Sequence, residues 1–317
     1  MAAGGGTKAI IAAFIANLGI AIAKFVGYIF TGSSSMLAES IHSLADTGNQ
    51  ALLLLGYRLA RRDATERHPF GYGRERYFWA FVVALVLFTL GSMFSIVEGI
   101  EKIRHPHPLA DLSWAIGILI GGILLEGWSF RTAVVEANRV RGRASWSDFI
   151  RRSRQPELPV VLLEDAGALI GLVIALIAVS LAAWTGNPLW DGIGTLAIGV
   201  LLGVIAIVLA HEMRSLLIGE AAKREDLEKI RSAIHAAPRV VQLIHMRTQH
   251  IGPEELLVGA KVEFERGMST SEIAAAVDTL EAAIRQQVPM VGPMYIEPDL
   301  MRPQTPEPEP EPKDENA

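Results

Sequence analysis

The sequence predicts an α-helical membrane protein: a bundle of six transmembrane helices followed by a small α+β domain of order α-β-β-α-β. Three observations carry that expectation. Half of the 317 residues are hydrophobic and the mean hydropathy is +0.32, too apolar for an ordinary soluble chain. Six apolar stretches reach the length of about 20 residues that a helix needs to cross a bilayer. After Gly219 the pattern changes to an amphipathic helix and alternating strands.

The apolar stretches run 8–31, 36–60, 77–103, 110–133, 159–184 and 188–217. The first follows MAAGGGTKAI, which has one Lys and no evident cleavage site, so a retained span is expected there and not a signal peptide. Tight turns at 31–35 and 185–188, the second broken by Gly186, Asn187 and Pro188, set stretches one and two, and five and six, side by side. Arginines crowd the connection between stretches two and three (Arg58, Arg61, Arg62, Arg67, Arg74, Arg76). They also crowd the one between four and five (Arg131, Arg139, Arg141, Arg143, Arg151, Arg152, Arg154). The connection between three and four has only Lys102 and Arg104 near its start, and the tight turns have no Lys or Arg. The excess of positive charge on the cytoplasmic side then puts both basic loops, and both termini, in the cytoplasm. Trp79, Trp184 and Trp190 fall near span ends, where interfacial anchors sit.

From 219 onward, KREDLEKIRSAIHAAP has helical periodicity, RVVQLIHMRTQHIG and ELLVGAKVEFE read as strands around a Gly252-Pro253 turn, and 269–287 is a second amphipathic helix. Ser269 and Glu272 have the spacing of a capping box. PMYIEPDL is a last strand, and the Pro/Glu tail has too little apolar content to fold. The domains expected are therefore 1–217 in the membrane, 218–301 as the α+β domain, and a disordered tail, 302–317.

The absence of cysteine excludes disulfides, thiolate metal sites and cysteine nucleophiles, and leaves His, Asp, Glu, Asn and backbone oxygen as metal donors. The net charge of −5 conceals basic loops and an acidic C-terminal third, with no sign of a nucleic-acid surface.

Polar groups inside the apolar stretches need a reason to be there, because desolvating them costs several kcal/mol, by general estimates, without a partner or cation. His42 and Asp46 lie one helical turn apart on one face of the second stretch. They are either a polar pair satisfied by neighbouring helices or half of a metal site; we favour the second. In the fifth stretch Glu164 and Asp165 are adjacent acids that a helix points about 100° apart. Lys24 reads as an interhelical or helix-end residue, Glu98 as a wet helix end, Glu126 as a deeper acid needing a partner, and Asp191 as a helix-start acid. Gly117, Gly121 and Gly122 share a face that would permit close helix packing.

These residues resemble the cation diffusion facilitator family over nearly the whole chain. The likeness is carried by TGSSSMLAESIHSLADTGNQ (31–50), by HPFGYGRER (68–76), by the six-span plan with its two tight turns and by the C-terminal order. The family's second-span motif, His or Asp followed four residues later by Asp, is met by His42 and Asp46, and Asp165 matches the second member of its fifth-span pair. The first member departs: position 161 is Val, so Glu164, Asn17, Asn49 or water would fill the place, and Glu164 is taken here. The resemblance implies a metal set of His42, Asp46, Asp165 and Glu164. It also implies a ferredoxin-like cytoplasmic dimerisation domain and a homodimer in lipid, with both termini cytoplasmic in a bacterial plasma membrane.

One nitrogen and several carboxylates suit Zn²⁺ as the transported ion, with Mn²⁺, Fe²⁺ and Co²⁺ also acceptable, and protons compete for the same groups as counter-ions. The expected activity is divalent-metal/proton antiport, and the resemblance implies its direction: out of the cytoplasm, or into a compartment equivalent to outside. The alternatives are a membrane-embedded metal-dependent hydrolase, for which no HExxH motif is present, or a metal-permeable channel. His68 and Tyr72 stand where a second His-bearing site occurs in some relatives; in the soluble domain, positions that carry histidines in some relatives hold Lys261 and Glu297, and His245, His250 and Asp299 form no cluster, so that domain is expected to bind metal at most weakly. Arg74 matches a basic residue of an interlocking charge contact, whose acidic partner would fall near Ile218 or Glu220.

Overall fold

The computed structural model describes residues 34–106 and 112–301, together with positions 11, 14, 15, 17–19, 21–23, 25, 26 and 29; the side chains of 34–43, 45, 112–115 and 152 are outside the description. Half of the first expected span, Lys24 included, and the Pro/Glu tail therefore lie outside the described residues. The chain divides into two compact units, 1–220 with 250–255, and 221–249 with 256–317.

The first unit is helical. Helix α1 spans Ser34–Leu59, α2 Glu75–Arg104, α3 Leu112–Arg141, the short α4 Trp146–Arg152, α5 Glu157–Thr185 and α6 Leu189–Ile218. Among the described residues four helices are long and apolar enough to cross a membrane: Glu75–Arg104, Ile116–Arg141, Glu157–Thr185 and Leu189–Ile218. They correspond to expected spans three to six. The first two expected spans fall wholly or partly on residues or side chains outside the description. The outer surface of these helices is apolar, with Phe94, Val97, Leu124, Ile207 and Trp184 more than half exposed, as a lipid-facing surface requires.

Helix α3 runs eight residues past its expected end at 133. VVEANRVR continues the helix with Ala133 and Ala137 buried, and Gly142, at φ 58°, stops it. The expected loop arginines Arg139 and Arg141 are thus helical. Helix α2 is not regular: Leu87–Met93 forms a π-helical segment, from which Ser92 Oγ donates 2.8 Å to the Gly199 carbonyl of α6.

The α2–α6 contact is backbone-close. A Cβ on Gly99 would lie 2.6 Å from the Leu196 nitrogen, and one on Gly199 2.8 Å from the Ile96 nitrogen. The glycine face expected on α3 behaves differently. Among the described residues Gly117 and Gly121 meet nothing within 4 Å, and Gly122 touches only the Leu172 side chain at 3.4 Å. The core of the unit gathers Leu53, Tyr77, Val83, Val161, Leu209 and Met213.

The second unit has the expected order: α7 Arg224–Ala236, β1 Val240–Gly252, β2 Glu255–Phe264, α8 Thr270–Gln287 and β3 Val291–Pro298. The sheet order is β1-β2-β3, with β3 parallel to β2 and Gly259 opposite Tyr295. Ile230 and Ile234 of α7, Leu280 and Ile284 of α8, and Val258 and Val262 of β2 close its core. The capping box forms: Ser269 Oγ accepts from the Glu272 amide while Glu272 accepts from the Ser269 amide. The Ser269 amide, the Ser269 hydroxyl and the Arg239 guanidinium all donate to the exposed Glu272 carboxylate and hold it down at about 2.

Candidate metal site

Positions 42, 46, 49 and 53 of α1 follow one another at four, three and four residues, so the helix aligns them on one face. Leu53, at one end of that stripe, is buried in the core, which turns its described part, positions 46–53, inward. Asp46 is partly buried and Asn49 fully so; the side chain of His42 lies outside the description. In α5, Val161, Glu164 and Asp165 are all buried. Val161 is part of the apolar core, in keeping with a side chain that cannot ligate a metal.

The two adjacent acids of α5 diverge, as neighbouring residues on a helix must. Glu164 faces α1: the Asn49 amide donates from Nδ2 to Glu164 Oε1 at 2.8 Å. Asp165 faces α3: Ser129 Oγ donates to Asp165 Oδ2 at 2.9 Å. Glu126 lies one turn before Ser129 and is also buried, so α3 adds a fourth acid. The charges of Asp46 and Glu126 both act on Glu164 and on Asp165. Four carboxylates from α1, α3 and α5 therefore share one electrostatic environment, and the second oxygen of Glu164, Oε2, has no hydrogen-bond partner among the described residues.

Three of the sequence-predicted residues, Asp46, Glu164 and Asp165, are thus neighbours in field. Among the described residues no three His, Asp or Glu groups are arranged to hold a metal ion. The arrangement can draw in a cation, and a cation of either kind, metal or proton, balances buried acids that cannot remain charged together in an apolar bundle.

Sequence reasoning missed a second polar centre at the arginine-rich ends of the helices. Arg76 of α2 and Glu157 of α5 form a buried bidentate ion pair, with Nε to Oε1 and Nη2 to Oε2, the latter 2.9 Å. Arg76 also reaches Glu254 at 3.2 Å and stacks over the Tyr57 ring of α1, 5.2 Å from its centroid. The signal was available: Glu157, Val161 and Glu164 are spaced four and three residues apart, so one face of α5 carries both acids. Gln50 and the Tyr77 hydroxyl, both buried, have no hydrogen-bond partner among the described residues.

Glu220, near which the acidic partner of Arg74 was expected, pairs with Arg154. Asp191 begins α6 as expected and also holds Lys102 at 2.9 Å. His68 stacks against Tyr72 with ring centroids 4.7 Å apart. In the second unit the Lys261 ammonium bridges Glu297 (2.9 Å) and Asp299 (3.1 Å), so the place of a cation between those carboxylates is already filled by an amine. The hydrogen bonds to Glu297 and then Asp299 raise the Lys261 pKa.

A family model described as the cation efflux transmembrane domain matches residues 10–218. The mitochondrial proton-coupled zinc antiporter SLC30A9 of Xenopus laevis is 34% identical over 245 residues, 76% of this chain and 44% of that protein, so this chain spans less than half of that relative's length. The zinc transporter ZitB of Escherichia coli is 28% identical over 250 residues, 77% of this chain and 74% of that one. A solved MamM C-terminal domain variant aligns at TM-score 0.23 and 14% identity, covering 25% of this chain and 93% of that domain.

Proposed function

Starting from the fact that this chain belongs to the cation efflux family, the cation diffusion facilitators, we propose that it carries Zn²⁺ across a membrane in exchange for protons. The ligands in this reading are His42 and Asp46 of α1 with Glu164 and Asp165 of α5. The observation that carries it is the Asn49–Glu164 hydrogen bond, which joins the α1 face bearing positions 42 and 46 to the acids of α5. The relatives compared are transporters and not enzymes, which sets aside the hydrolase alternative.

The chemistry follows from the donor set. Zn²⁺ binds only deprotonated imidazole and carboxylate groups, so metal and protons exclude one another at the same lone pairs. With its acids in one apolar region, the empty site is strongly unfavourable without a cation. Metal release on one side is therefore tied to proton uptake from that side, and the protonated site is the form that returns. In this reading the metal-loading side and both termini are cytoplasmic, which the excess of arginine in the two basic loops supports, and export runs outward or into a compartment equivalent to outside. The expected C-terminal domain, residues 218–301, pairs two copies in a homodimer.

The test is zinc uptake into proteoliposomes under an imposed proton gradient. Wild-type protein moves zinc when the gradient is present, and Asp46→Ala does not, at equal incorporation. Retained proton-driven flux in Asp46→Ala removes Asp46 from the site. Electrogenic zinc flux that ignores the proton gradient, in the wild type, identifies a channel instead.

A further inference from the structure

The Glu164 carboxylate is held asymmetrically. Oε1 receives the Asn49 Nδ2–H at 2.8 Å, while Oε2 has no partner among the described residues although the side chain is only 6% exposed. An orphaned buried carboxylate oxygen loses the hydration it had in water and gains nothing in return, so its placement calls for a ligand. The amide proton sets a partial positive charge against Oε1. A divalent cation is repelled from that oxygen and steered to Oε2.

We infer that Asn49 sets how many oxygens Glu164 offers the transported cation, and thereby favours a small four-coordinate ion over one that takes two oxygens from a carboxylate. The inference rests on the reading of Glu164 as a metal ligand. A one-oxygen carboxylate fits the tetrahedral N/O shell of Zn²⁺. Larger, harder cations gather six or more oxygens and use both oxygens of a carboxylate where they can. Asn49 is suited to the task. It is buried, it comes from α1 and not from the helix that bears Glu164, and it lies three residues from Asp46, so the rotamer of one ligand is tied to the helix that supplies others. Asn49 is therefore a positioning residue, acting on the metal through Glu164.

The experiment is thermal stabilisation of the purified full-length protein titrated with ZnCl₂ and, separately, MnCl₂, read as the ratio of the two apparent affinities. Asn49→Leu keeps the volume and removes the donor, and Asn49→Ala serves where the first variant does not fold. Either should lower the Zn:Mn preference by about tenfold, the lower end of what losing such an orienting partner does. On a Glu164→Ala background the same substitution should leave the ratio unchanged, because no carboxylate remains for Asn49 to orient. An unaltered ratio in Asn49→Leu and Asn49→Ala, with Glu164→Ala weakening zinc stabilisation, overturns the inference and leaves the ligand assignment standing. Full zinc stabilisation in Glu164→Ala overturns both, since the carboxylate then touches no metal.

Discussion

Breaking the Arg76–Glu157 pair from its two sides should give unequal losses. Glu157 is 2% exposed and both of its oxygens are taken by the Arg76 guanidinium. Arg76→Ala therefore leaves a buried carboxylate with neither oxygen paired, and its cost should lie near the upper end of the range for orphaned buried charges, about 5 kcal/mol. Glu157→Ala leaves the guanidinium with two compensations, the half-exposed Glu254 at 3.2 Å and the Tyr57 ring at 5.2 Å. A cation–π contact of this kind is worth about 0.5–2 kcal/mol, which places Glu157→Ala near 3 kcal/mol. Removing both charges, as Arg76→Met with Glu157→Leu, should be close to neutral, because neither ion then needs to be desolvated. The assay is equilibrium unfolding of full-length protein in detergent, analysed as a double-mutant cycle. Equal losses under about 1 kcal/mol for the two single variants would mean that the pair is solvated in the working protein. A double variant as unstable as the two singles summed would refute the account of a mutually dependent buried pair.

Two further outcomes follow from the packing and from the second unit. Gly199→Leu should prevent α2 and α6 from closing, because even a Cβ there meets the Ile96 backbone at 2.8 Å, whereas Gly117→Leu on the open face of α3 should be tolerated; monodisperse yield in detergent distinguishes them. The Glu272 carboxyl falls from its ordinary 4.5 to about 2 on folding, so its contribution is fully present above pH 4.5 and is lost as the pH drops towards 2. Amide hydrogen exchange over Thr270–Gln287 should therefore accelerate through that window in the wild type. In Glu272→Gln the acid-range acceleration should be smaller, and identical profiles for the two proteins would refute the assignment.

Much of the architecture was legible because it is locally encoded. The ends of α5 and α6, the strand–turn–strand around Gly252-Pro253, and the capping box at Ser269 each depend on residues within a few positions of one another. The length of α3 was misjudged because arginines were taken as loop residues, although Arg and Ala are good helix formers and the stop signal, Gly142, came later. The π segment of α2 was not readable: Leu87–Met93 is unremarkable in composition, and its partner, the Gly199 carbonyl, lies more than a hundred residues away. Distance also hid the Arg76–Glu157 pair, whose members lie 81 residues apart, with Arg76 read only as a loop charge.

The sequence by itself determined which segments are apolar enough to span and where acids interrupt them, since both are properties of consecutive residues. Only the tertiary structure decided what each acid faces. Glu164 and Asp165 are neighbours in the chain, but the turn of one residue along a helix sends the first to Asn49 on α1 and the second to Ser129 on α3. That choice depends on how α1 and α3 dock around α5, which is set by the shapes of many side chains acting together and is written in no single stretch.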